Sequence, residues 1–132
     1  MFVELMLKKY YMKLSKSEED LMNRIWKLEK AFMKDILNSY PEPKPATTTI
    51  ATLLKRMTTK GFIAYTVYGK SRKYYPLVEK KDYFSNQVNG LIKNFFDNSP
   101  SKFASFFTEE TSLSEKELIE LRKIIDNQLK NK

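Results

Sequence analysis

Two short segments, FIAYTVY (Phe62–Tyr68) and RKYYPLV (Arg72–Val78), are dense in aromatic and β-branched residues, and only Gly69, Lys70 and Ser71 separate them. That composition suits a pleated, half-buried surface, and a connection of this length with a glycine makes the pair a β-hairpin. A lone hairpin is marginal in water, so it must lie on something. What precedes it is helical.

LSKSEEDLMNRIWKLEK opens with Ser15 and places Glu18 three residues on, a capping box. Leu21, Ile25 and Leu28 then recur at helical spacing, widened by Met22 and Trp26. AFMKDILNSY repeats the pattern with Met33, Ile36, Leu37 and Tyr40, and stops at the alternating prolines of PEPKP, which read as a stiff spacer. A third helix is expected from an N-cap at Thr47, with Ile50, Leu53, Leu54 and Met57 on its apolar face. Lys60 and Gly61 form its stop: a cation in the last turn, then a residue that tolerates a left-handed backbone. Three helices followed by a hairpin is the order of a winged helix-turn-helix.

Beyond Val78 the pattern is helical again. Phe84, Val88, Leu91, Ile92 and Phe95 form one stripe. A Ser/Pro break at NSPSKFASFF leads into a short apolar helix, and a second capping box (Ser114, Glu117) opens a helix with Leu118, Leu121 and Ile125 on a heptad-like seam. These segments are too short to build a core of their own, and packing against a second copy would solve that. The expected fold is therefore mainly α with a small β-hairpin wing. It divides into an N-terminal extension (1–11, with Met12 an equally natural start), a winged-helix DNA-binding domain (12–79) and a helical dimerisation region (80–132).

Of the 132 residues 42% are hydrophobic, enough for a real core. Cysteine and histidine are both absent, which removes disulfides, Cys/His zinc sites, thiol nucleophiles and Ser-His triads together. No enzyme and no cofactor are expected. No apolar run approaches the ~20 residues a membrane span needs. MFVELML is no export signal, so a cytoplasmic location is expected.

The net charge of +8 points to an anionic partner, and its distribution says more. Residues 43–78 hold seven cations (Lys44, Lys55, Arg56, Lys60, Lys70, Arg72, Lys73) and no acid, whereas residues 109–126 hold six acids against three cations. At roughly 100° per residue the face of the third helix opposite Ile50 and Leu54 carries Thr48, Thr52, Lys55 and Thr59, flanked by Ala51, Thr49 and Arg56. A merely solvated helix usually mixes Glu with Lys, and threonine is a mediocre helix former. Hydroxyls and methyls that approach bases, with cations that reach phosphate, explain the face better.

Other readings exist for each feature. The threonines can be a plain solvated surface, and Lys70, Arg72 and Lys73 can protect a sheet edge. Tyr65, Tyr68, Tyr74 and Tyr75 are better read as packing residues, and Trp26 as core. Glu18, Glu19 and Asp20 are better read as first-turn helix charges than as metal ligands. A winged-helix interaction module without DNA is the main alternative function. It would carry acids or apolar residues on the third helix.

LSKSEEDLMNRIW, MKDILNSYP, TTTIATLLKRMTTKGFI and RKYYPLV, followed by LSEKELIELRKII, resemble the penicillinase-repressor (BlaI/MecI/CopY) family from about Leu14 to Lys130. The resemblance implies a dimeric winged-helix repressor of a near-palindromic double-stranded operator. Its third helix would contribute Thr47, Thr48, Thr49, Ala51 and Thr52 with Lys55 and Arg56, and its wing Lys70, Arg72 and Lys73. It implies a membrane sensor protease as partner, cutting within FASFFTEE. Better-known members carry Asn-Phe there; the aligned pair here is Ser105-Phe106 or Phe106-Phe107. Copper sensing through the cysteine-rich tail of one branch is excluded, since the chain has no cysteine.

Overall fold

The structure is a computed structural model and describes residues 13–132; the expected extension at 1–11, and Met12, lie outside the described residues. Six helices and three strands follow in the order α1 (Lys16–Leu28), β1 (Ala31–Phe32), α2 (Met33–Ser39), α3 (Thr47–Thr59), β2 (Ile63–Tyr68), β3 (Ser71–Pro76), α4 (Lys80–Phe95), α5 (Pro100–Glu110) and α6 (Glu115–Lys130). They fall into two compact units divided between Gln87 and Val88.

In the first unit α1 begins as its sequence asks. The Ser15 hydroxyl accepts from the Glu18 N–H, and the Glu18 carboxylate accepts from the Ser15 N–H at 2.9 Å. Leu21, Met22 and Ile25 are buried against Ile50, Leu54 and Met57 of α3 and Phe62 and Ile63 of β2, in one apolar core. The end of α3 is a Schellman motif: Phe62 N–H donates to Met57 O and Gly61 N–H to Thr58 O, with Gly61 at φ 81°. This turn sends the chain straight into the wing.

The wing is a two-residue hairpin. Tyr68 pairs with Ser71 and Tyr65 with Tyr74, and Gly69 supplies the positive φ (59°) such loops favour at their first position. Nothing lies within 4 Å of a Cβ built at Gly69, so its backbone conformation and not space selects glycine there. A third strand was not expected. Ala31 and Phe32 pair with Tyr74 and Lys73, giving the sheet order β1-β3-β2.

The start of α4 also belongs to this unit. Tyr83 is fully buried; its hydroxyl accepts from the Leu14 N–H at 2.9 Å and donates to Glu19 at 2.7 Å. Burial, with Glu19 beside it, pushes the phenol up to about 12 despite the opposing Leu14 bond. Phe84 packs on Trp26 and Tyr83, with ring centroids 5.9 and 5.1 Å away. Phe84, expected among the dimerisation residues, packs against the first core, and the compact division falls after Gln87, where the expected boundary was residue 79. Trp26 is half-buried, and its indole N–H donates to Val78 O at 2.8 Å.

In the second unit Ser99 caps α5, and Ser114 with Glu117 forms the second capping box at α6. Phe96 meets Phe103 and Phe106 at 5.5 and 5.2 Å between centroids. No residue from 88 to 132 is buried.

Candidate nucleic-acid interface

The buried stripe of α3 fixes which side of that helix faces outward. Thr47, Thr48, Thr49, Ala51, Thr52, Lys55 and Arg56 are all exposed. The expected cap at Thr47 is displaced by one: Ala46 is the N-cap, Thr47 is the first helical residue, and no side chain caps this end. The threonine hydroxyls are partly engaged. Thr52 Oγ1 donates to Thr48 O at 2.9 Å and Thr59 Oγ1 to Lys55 O at 3.0 Å. With its proton committed to the helix, Thr52 shows the outside a methyl group and an acceptor oxygen.

Strand alternation divides the wing cations. Arg72, opposite Val67, shares the core-side face of the sheet with Tyr65 and Tyr74, and its guanidinium lies 4.4 Å over the Tyr65 ring. Lys70 is exposed at the turn. Lys73, opposite Thr66, takes the other face, where its ammonium stands 5.3 Å over Phe32. Arg72 and Lys73 therefore project from opposite faces of the hairpin. Of the tyrosines read as packing residues, Tyr74 is buried and meets Tyr65 edge-on, whereas Tyr68 is exposed against Phe32.

Two further cations of the basic stretch have internal tasks. Lys60 Nζ sits 2.8 and 3.0 Å from the Glu18 carboxylate, whose residue is only 2% exposed. Burial pushes the Glu18 carboxyl up, but the Lys60 ammonium and the Ser15 bonds outweigh it and hold the group below its ordinary value. Lys44 Nζ donates to Leu37 O and Tyr40 O and so closes the end of α2. Spacing gave no signal for the Glu18–Lys60 pair, whose members stand 42 residues apart. Glu18 and Glu19 are thus structural, bound to Lys60 and Tyr83.

What remains on the outside of α3 and the wing is a surface of methyls, hydroxyls and cations that have no ion-pair partner among the described residues, contributed by a stretch without acids. In the second unit Val88, Leu91, Phe95, Leu118 and Ile125 are exposed, Phe95 at 75% and Ile125 at 58%, with Ile92 and Leu121 half-buried. Ser105, Phe106 and Phe107 lie inside α5, all exposed. Among the described residues no helix is long and apolar enough to cross a membrane.

Known proteins resemble this chain in sequence. The penicillinase repressor family pattern matches residues 14–127. The methicillin resistance regulatory protein MecI of Staphylococcus aureus (strain N315) is 31% identical over 114 residues, 86% of this chain and 93% of that one. The penicillinase repressor of Bacillus licheniformis is 24% identical over 86% of this chain and 89% of its own. A solution structure of the DNA binding domain of the repressor BlaI aligns with 54% of this chain and 88% of its own, at 25% identity and a TM-score of 0.48. Matched from residue 14 to residue 127, the chain belongs to the penicillinase repressor family, a family of transcriptional repressors and not of enzymes.

Proposed function

We propose that the chain represses transcription as a homodimer on a near-palindromic DNA operator, with α3 in the major groove and the wing against the backbone. One observation carries this: the exposed, acid-free face of α3, Thr48, Thr52 and Lys55 with Arg56 at its flank, stands in the same unit as Lys70 and Arg72 of the wing. The α3 residues reach base edges and phosphates, and the wing cations add sequence-independent affinity. The uncovered apolar residues of 88–132 support pairing with a second copy, because a face of this kind is costly to leave in water.

Release by a membrane sensor protease fits the same arrangement. No side chain of α5 is buried, so local opening around Ser105–Phe107 is inexpensive, and a cut there separates α6 from the remainder. Losing the second half-site lowers operator affinity by roughly 10²–10⁴.

The test is a footprint on the DNA upstream of the chain's own coding sequence. Protection is expected over two half-sites about 34–36 Å apart, or a multiple of that. Lys70→Ala and Arg72→Ala each remove one phosphate contact per subunit, so each flattens the salt slope of the dimer by about 2. No protection, or binding indifferent to salt, refutes the reading and favours an interaction module.

A further inference from the structure

We propose that the groove between α2 and the wing binds an amphipathic organic anion, a carboxylate or sulfonate on an aromatic or acyl body, and that filling it weakens DNA binding. The second half rests on the function proposed above; the first does not.

The groove encloses about 560 Å³, within the ~300–1,000 Å³ typical of small-molecule sites. Its walls are of two kinds. Met33 and Leu37 of α2 and Tyr74 of β3 are apolar, while Lys34, Lys70 and Arg72 are cationic, and none of its lining residues is an acid. None of these three cations forms an ion pair with a described residue. An anion therefore meets three uncompensated charges at the rim of an apolar cleft. A bare phosphate would use the cations but leave the half-buried Met33 and Leu37 unserved, which is why the occupant is assigned an apolar body.

Lys70 and Arg72 belong to both surfaces. The Arg72 guanidinium rests on the Tyr65 ring, and no described carboxylate holds it there. An anion in the groove neutralises these two side chains, and what they give to the anion they withdraw from phosphate. Linkage makes the effect mutual: DNA weakens the anion by the same factor. Lys34, in contrast, lies on α2 outside the proposed DNA-contacting set, so it separates the two functions.

The experiment titrates the full chain with naphthalene-2-carboxylate and, separately, with its neutral carboxamide, following backbone amides by ¹H–¹⁵N NMR. The carboxylate is expected to shift amides of residues 32–38 and 69–74, and the carboxamide to bind about tenfold more weakly. Affinity for the footprinted DNA, read by fluorescence anisotropy, should fall at least about fivefold at saturating carboxylate. Lys34→Gln should weaken the carboxylate and shrink that fall while leaving DNA affinity without it within a factor of about two. Equal binding of acid and amide, or shifts confined to 88–132, overturns the site. Groove binding with unchanged DNA affinity overturns the release. Absent DNA binding before any addition refutes the proposed function instead, and the NMR map still decides the groove.

Discussion

Replacing Lys60 by methionine tests the main electrostatic claim about the first unit. The ammonium lies 2.8 Å from a carboxylate that is 2% exposed, and its removal leaves Glu18 with the Ser15 N–H as its remaining described partner. Breaking a buried pair from one side costs ~3–5 kcal/mol. The Lys60 side chain is 27% exposed, so water can enter where it stood, and a loss of about 2 kcal/mol is expected. For a unit of this size that lowers Tm by on the order of 10 °C. The pH dependence gives a sharper criterion. In the native chain the Glu18 pKa is held below 4.5, so its stabilisation is complete above the ordinary carboxylate range and fades as pH falls through the lowered value. In the variant the Lys60 contributions are gone and burial, opposed only by the Ser15 bonds, moves the pKa upward, so protonation on acidification relieves the strain. The deficit should be full at about pH 7 and shrink below about pH 4. Thermal unfolding followed by circular dichroism at both pH values measures it. Glu18→Gln with Lys60→Met should be more stable than Lys60→Met alone, since the amide still accepts from Ser15 and no charge is stranded. A Lys60→Met chain within about 0.5 kcal/mol of native at neutral pH, or equally impaired at both, refutes the reasoning.

Tyr83→Phe removes the acceptor of the buried Leu14 N–H and should cost about 1–3 kcal/mol in urea unfolding; a smaller change means water takes over that bond. On the proposed docking Thr52 offers DNA a methyl and an acceptor, so Thr52→Ser should weaken operator binding about fourfold per half-site, the worth of one buried methyl, with Thr52→Val nearer to native. The opposite order in an anisotropy titration would assign the contact to the oxygen. Leu121→Asp should convert a dimer to a monomer in sedimentation at micromolar concentration, and an unaffected dimer moves the interface elsewhere.

Much of this was legible locally. Ser15 with Glu18, and Ser114 with Glu117, announce helix starts because a capping box is a three-residue event. Lys60-Gly61 announced a stop, and the Schellman bonds stand there. What escaped depends on distance along the chain. Ala31 and Phe32 become a strand only because β3 offers an edge some forty residues later. Glu18 and Lys60 each had an adequate local explanation, a first-turn acid and a last-turn cation, which concealed that they serve each other. Phe84 shares its stripe with Val88 and Leu91, and helical periodicity cannot say where along one helix the packing partner changes. The shared face of Arg72 and Tyr65 follows from hairpin register, which residue type alone does not set.

The uncapped beginning of α3 has a consequence for timing. Serine side chains close the first turns of α1, α5 and α6, whereas Ala46 offers none; the Thr49 N–H donates to Ala46 O at 3.0 Å, which leaves the Thr47 and Thr48 amides without a described partner. Such a turn is expected to fray, with the Thr47 and Thr48 amide protons exchanging faster than those at Leu53, Leu54 or Met57. Thr47 and Thr48 are therefore expected to be the least fixed part of α3 before any complex forms, with the buried stretch behind them the most fixed. On the proposed docking, the final step of recognition is the freezing of one helical turn, and a mismatched sequence is rejected by failing to freeze it.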